Sequence, residues 1–383
     1  MLSSLTSLSP VVWARQSVVL PPKFVAKQAI SRHNLPQQLC LPDTLKTWPW
    51  PRRLNPHYAE VSQASAAWAA SFRAFSPRAQ KAFDRCSFGL LASLAYPLLS
   101  KEHLRTGCDL MNLFFIVDEW TDVSNEAQSR SMVSIILDAL QSPHRPRPNN
   151  EWVGGEIARQ FWQLATQSMS TPAQQRFLTT FEEYLNAVVD EAKDRSHHRI
   201  RDVRSYLKLR RNTIGAKPSF AILEAGMELP EEVLNHPVLV ELTNLTIDLL
   251  CIGNDLVSYN KEQASGDDEH NIITIIMANQ HTTVTGALSW VADYHAKLEA
   301  RFNEVYRKIP RWGGALDIDV QTYAFGLGNW VRANDQWSFE SERYFGTRGL
   351  EIMESRTVAI LPKVNPGVGA AEVGPVVVDE SLL

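Results

Sequence analysis

Cysteine is scarce in this chain of 383 residues, and its four copies, Cys40, Cys86, Cys108 and Cys251, stand far apart. No two share the spacing of a zinc knuckle, and one thiol per roughly hundred residues is too few for a disulfide framework. The pattern fits buried, reduced thiols in an intracellular protein. Glycine is sparse too, 18 residues where a chain of this length would average about 27. A surplus of basic charge is missing: 38 Lys and Arg stand against 42 Asp and Glu, for a formal net charge of -4. A nucleic-acid binder shows a basic excess or stripe, so that class is excluded. No window of 18 uncharged apolar residues exists, which excludes a membrane-spanning helix by pattern. Alternating, strand-like runs are absent as well.

What remains is helical periodicity, and it predicts an all-α fold: one helical bundle around a central apolar pocket. Three regions follow. Residues 1–42 hold no acid before Asp43 and carry Arg15, Lys23, Lys27 and Arg32 among many serines. They read as a basic, disordered extension, with the composition of a targeting segment as the alternative to a cytoplasmic location. Residues 43–355 are the helical domain, and 356–383 a Pro-, Gly- and Val-containing tail without helical period. Ser76-Pro77 opens a helix running to Leu94, Ser100 caps one ending near Trp120, and Ser124 starts the next. Pro237 opens a long helix to Glu262, and the last long helix runs from Val320 to Tyr344.

Three constellations carry chemistry. In Leu113-Phe-Phe-Ile-Val-Asp118-Glu119-Trp120-Thr121-Asp122 an apolar helix ends in carboxylates. Asp118 and Asp122, four apart, share a helix face and repel each other. Acids favour helix N-termini, so their late position calls for another compensation, and hard oxygen ligands suit Mg2+. In the second, Asn254, Ser258 and Glu262 fall at i, i+4 and i+8 of another apolar helix, one line of oxygen ligands with a single charge. Facing each other across a pocket mouth, the two lines would build a metal site of the kind helical bundles carry. The third is cationic: Arg210-Arg211 before a helix break at Gly215, and Arg343-Tyr344 at the close of the last long helix. An Arg fork grips phosphate oxygens, and a Tyr hydroxyl can donate beside it. Trp330, Trp337, Phe339 and Phe345 surround the second pair in sequence.

Together these motifs resemble the class I terpene synthases, specifically the fungal sesquiterpene synthase type. Asp118-Glu119-Trp120-Thr121-Asp122 is similar to that family's D(D/E)xxD motif, and Asn254 to Glu262 matches NDxxSxxxE at every defined position. Arg343-Tyr344 resembles the late RY pair, and Arg211, with Ile214 and Gly215 behind it, resembles the diphosphate-sensing Arg and the helix break. Trp48-Pro-Trp-Pro-Arg-Arg-Leu-Asn-Pro-His-Tyr58 looks like the entry segment of mushroom-type members. The stretch from Asn254 to Asp268 resembles the protoilludene-forming branch. The likeness spans about residues 41–350. The basic N-terminal extension and Trp120 within the acidic motif depart from the pattern.

The resemblance implies Mg2+-dependent ionisation of farnesyl diphosphate and cyclisation of the carbocation to a fifteen-carbon hydrocarbon. Three Mg2+ ions would be held by Asp118, Asp122, Asn254, Ser258 and Glu262. Arg211, Arg343 and Tyr344 would grip the diphosphate, and Phe88, Phe114, Phe115 and Trp337 would wall the pocket. Asp118, Arg211, Asn254 and Glu262 would carry catalysis. The chemical alternative is a prenyl chain-elongating enzyme, which carries two aspartate-rich motifs instead of the Asn/Ser/Glu line. The alternative of another kind is a non-catalytic helical binding protein, which needs no full set of ligands. The resemblance also implies 1,11-closure to a humulyl-type cation that leads to a protoilludene-like skeleton.

Overall fold

The computed structural model describes residues 23–25, 36–363 and 373–375. The described part is built of α-helices: α1 (Tyr58–Ser71), α2 (Pro77–Arg85), α3 (Phe88–Ala95), α4 (Lys101–Asp122), α5 (Glu126–Gln141), α6 (Gly154–Ala165), α7 (Thr171–Ser196) and α8 (Val203–Thr213). These are followed by α9 (Ala216–Leu223), α10 (Glu231–Leu234), α11 (Pro237–Ser265), α12 (Ile272–Gln280), α13 (Val284–Tyr306), α14 (Gly314–Glu340), α15 (Glu342–Phe345) and α16 (Gly349–Ser355). The only described strands form two small antiparallel pairs, Phe24–Val25 with Ile200–Arg201 and Gln38–Cys40 with Thr357–Ala359.

Local chemistry sets the ends of the helices that matter. The Ser100 hydroxyl accepts from His103 N and starts α4, as an N-cap should. Asn125, not Ser124, caps α5, in a reciprocal box with Gln128. Pro237 sits in the first turn of α11, which ends where Gly266 turns left-handed at φ 92°. Helix α11 packs against α13 and α14, α3 lies between α14 and α4, and α7 covers α8 and α9. The inner faces of α3, α4, α7, α8, α9, α11 and α14 enclose the central cavity.

Two expectations need correction. The helix expected from Arg78 to Leu94 is two helices, because Ser87 adopts φ 51°. The break frees the Cys86 carbonyl, which accepts from Trp337 Nε1 at 2.8 Å. The folded chain also passes both limits of the 43–355 domain, since the ribbon of 38–40 with 357–359 lies outside them. Its side chains tie inward, with Leu39 and Val358 buried. Of the 1–42 extension, residues 23–25 and 36–42 are described and partly strand-paired; the rest of the disorder or targeting reading lies outside the described residues. No helix of the described residues is long and apolar enough to cross a membrane.

The segment from Trp48 to Trp50 straps the bundle. Trp48 Nε1 donates to Gly328 O at 3.0 Å, and Arg332 donates to the carbonyls of Leu45, Trp48 and Trp50. A Cβ on Gly328 would sit 2.3 Å from the Trp50 ring, so that helix position admits only glycine.

Candidate active site

The central cavity has a volume of about 310 Å³, within the range of small-molecule sites. Its deeper wall is apolar and aromatic: Leu91, Met111, Phe114, Phe115, Leu250, Trp330 and Trp337 line it. Phe114 is placed by the helix break. Gly215 turns left-handed at φ 69°, and a Cβ there would come 3.1 Å from the Phe114 ring.

Polar residues crowd the mouth. Six carboxylates, of Asp118, Glu119, Asp122, Glu191, Glu262 and Asp267, face the four cations of Arg195, Arg210, Lys261 and Arg343. Asp118 and Asp122 end α4 on one side; their side chains keep 42% and 46% exposure, opening onto the cavity. Protein rings both, and that desolvation pushes both carboxyls up, Asp122 further because Asp118 lies beside it. Asp122 lies 3.5 Å from Arg195. Arg343 Nη2 reaches Asp118 at 3.2 Å and its Nη1 reaches Glu119 at 3.0 Å. The Arg343 guanidinium lies 4.5 Å from the Phe115 ring centroid, and its buried Nε has no hydrogen-bond partner among the described residues.

The opposite wall is α11. Asn254 accepts from Arg210 Nη2 at 2.7 Å and donates to the Tyr344 hydroxyl at 3.0 Å. Glu262 also lines the cavity. Burial pushes its carboxyl up to about 7, the Asp255 charge adds to the rise, and hydrogen bonds from Asn271 and Ser258 oppose it. Ser258 is 2% exposed and is absent from the cavity lining; its hydroxyl lies behind the wall, 3.3 Å from Asn271 Nδ2. Lys261, which no motif singled out, faces the cavity beside Glu262.

Besides Ser258, two residues stand elsewhere than expected. Arg211 leaves the mouth and pairs through Nε and Nη2 with Asp248, at 2.6 and 2.7 Å, with 41% of its side chain exposed. Arg210 takes the cavity position, bound to Asp255 at 3.0 Å as well as to Asn254. The cause is helical phase. Tyr206 and Arg210 are one turn apart, and the Tyr206 hydroxyl donates to the same Asp255 carboxylate. Thr213 and Ile214 line the cavity with Arg210, and the break stays at Gly215. Phe88 is the second: it stands behind the wall, stacked on Phe115 at 3.9 Å between centroids. Trp120 turns from the mouth, edge-on to Trp152.

Glu191 and Arg195 come to the mouth from α7, one turn apart, and no motif announced them. Arg195 Nη2 also donates to Thr121 O at 2.6 Å. Gly374, beyond the last helix, lies against the mouth.

Among the described residues, no three His, Cys, Asp or Glu side chains gather closely enough to hold a metal by themselves. The donor set nevertheless fits hard divalent cations completed by substrate oxygens. Mg2+ takes one or two carboxylates plus phosphate and water, and burial raises the carboxyls of Asp118, Asp122 and Glu262 at this mouth. A diphosphate could not enter an excess of carboxylates unless cations came with it.

An all-helical bundle, an aromatic cavity and two facing lines of oxygen donors define a prenyl-diphosphate-type site, and comparison with known proteins names the family. Residues 109–301 match the family described as terpene synthase family 2, C-terminal metal binding, and the chain belongs to the terpene synthases. It is 58% identical over 347 residues to a Δ(6)-protoilludene synthase of Armillaria gallica, covering 91% of this chain and 99% of that one. A Δ(6)-protoilludene synthase of Stereum hirsutum is 58% identical over 363 residues, covering 94% and 96%. Among solved structures, a point variant of cucumene synthase superposes with a TM-score of 0.68 at 25% identity, over 76% of this chain and 99% of that one. The protein is thus a sesquiterpene synthase, a lyase acting on a diphosphate, with a metal-binding domain.

Proposed function

We propose that the enzyme ionises farnesyl diphosphate with three Mg2+ ions and closes the chain, by 1,11-bonding, to Δ(6)-protoilludene. The observation that carries the reading is the mouth itself: Asp118 and Asp122 on α4 face Asn254 and Glu262 on α11 across Arg210, Lys261, Arg343 and Tyr344, above an aromatic cavity. The names of the two relatives support the product.

When bound, the metal ions would neutralise the charge that develops on the leaving diphosphate oxygens. The chain's own residues do the rest. Asp118, Asp122, Asn254 and Glu262 supply the oxygen donors, with Ser258 just behind. Arg343 offers its guanidinium, and Tyr344 its hydroxyl, to the departing group. Arg210 occupies one lone pair of the Asn254 carbonyl oxygen and leaves the other for a ligand, so its guanidinium stands beside the diphosphate position without releasing Asn254. Donors aimed where charge develops stabilise the transition state more than the ground state. The same cations drawn to the diphosphate close the mouth and exclude water from the allyl cation. The faces of Phe115, Phe114 and Trp337 stabilise the travelling charge by roughly 0.5–2 kcal/mol each.

The test is incubation of purified protein with farnesyl diphosphate, with and without Mg2+, reading volatiles by gas chromatography and mass spectrometry. A Mg2+-dependent protoilludene peak is expected. A different cyclic hydrocarbon would overturn the product; a longer diphosphate formed with added isopentenyl diphosphate would overturn cyclisation.

A further inference from the structure

Asn271 is fully buried, at 0% exposure, and it stands where α12 begins, behind the α11 wall of the mouth. Its Oδ1 accepts from Ile273 N at 2.9 Å and so caps α12. Its Nδ2 donates to Glu262 Oε2 at 2.9 Å and to the Asp255 carbonyl at 2.8 Å, and lies 3.3 Å from Ser258 Oγ. An amide has two protons to give, and these geometries assign them to Glu262 and Asp255, with Ser258 the weakest claimant.

The cap alone does not explain the residue. Asp or Ser would accept from Ile273 N equally well. Only an amide also donates backwards, into the Asn254–Glu262 line. Asn271 does not line the cavity, so it acts through Glu262 rather than on substrate.

We infer that Asn271 is the positioning residue of the second metal line: it fixes one Glu262 oxygen and turns the other to the cavity, at a cost to metal affinity when it is lost. The inference rests on the proposed metal role of Glu262. Groups that orient metal ligands from behind change affinity by about 10–100-fold when removed.

Asn271→Asp separates the two duties, because it keeps the cap oxygen and replaces the donor by an acceptor facing Glu262. Asn271→Ser keeps a shorter cap and loses the reach. The probe is Mn2+ titrated into the whole protein with inorganic diphosphate, bound metal being read by electron paramagnetic resonance. Circular dichroism reports the fold of each variant. Asn271→Asp is expected to weaken Mn2+ binding by about 10–100-fold with helix content unchanged, and Asn271→Ser by a smaller factor. If Asn271→Asp does not fold, Asn271→Ser carries the test alone. Wild-type affinity, or tighter binding, in a folded variant overturns the inference while the site stands. Absence of Mn2+ binding by the wild-type protein overturns the site reading and this inference with it.

Discussion

The two walls of the mouth are built on opposite principles. On α4, Asp118 and Asp122 are nearly half exposed to the cavity, and among the described residues they pair with Arg343 and Arg195, at 3.2 and 3.5 Å. On α11, Asn254 is bonded by Arg210 and Tyr344, Glu262 by Asn271, and Asp255 behind them by Tyr206, Arg210 and Ile272 N. One wall is loose and the other is preset. Preset ligands lose little conformational freedom on binding and tolerate no substitution; loose ones can adjust.

Substitutions should expose that asymmetry. Asn254→Ala should lower kcat by at least about 1000-fold, whereas Asp122→Asn should lower it by only about tenfold, both with unchanged circular dichroism. Equal losses would erase the distinction between the walls. Next in size is the pair of adjacent arginines. Arg210→Ala should cost about 100-fold in kcat/KM and Arg211→Ala less than about threefold, since Arg211 serves Asp248 and not the cavity. Steady-state kinetics on the two variants would reverse the assignment if Arg211→Ala proved the more damaging.

Within the cavity, Trp337→Leu should alter the product spectrum, seen by gas chromatography, more than the rate. Phe88→Leu, a layer further out, should leave the dominant product in place. A spectrum unchanged in the first and changed in the second would invert the two layers.

The smallest effect concerns pH. The Glu262 carboxyl titrates at about 7 in the folded protein against an ordinary 4.5. Between those values the native state holds a proton that the unfolded chain has released, so metal-free stability falls as pH rises through this window. Asp118 and Asp122, also raised, add with the same sign. Thermal melts in chelator should show the wild type losing stability from about pH 5 to about pH 8, with Glu262→Gln flattening that slope by about 2 kcal/mol. A slope unchanged by the substitution would place the burial cost elsewhere.

Much of the site was legible because its chemistry runs along single helices. The four-residue spacing of Asp118 with Asp122, and of Asn254 with Ser258 and Glu262, puts oxygen donors on one face wherever the helix goes. Arg343-Tyr344 was legible as a cation beside a hydroxyl. Two adjacent arginines were not separable by type, since only helical phase tells 210 from 211; the signal was Tyr206, one turn earlier, whose buried face Arg210 shares. Ser258 and Phe88 carry the right chemistry but sit one layer back, a depth that spacing does not encode. Glu191 and Arg195 reach the mouth from α7 through tertiary packing alone. In the fold, α12 was missed because Ile272-Ile-Thr-Ile-Ile-Met277 is apolar all round and shows no period, and the break at Ser87 was missed because a serine there gives no local sign of φ 51°.

At the centre stands the assignment of metal binding to Glu262 on the preset α11 wall. Its most direct measurement is hydrocarbon release from farnesyl diphosphate by Glu262→Gln beside the wild type, at saturating Mg2+ and with matched circular dichroism. Cyclic hydrocarbon is expected from the wild type and none above background from the variant. Release from the variant at the wild-type rate would contradict the assignment.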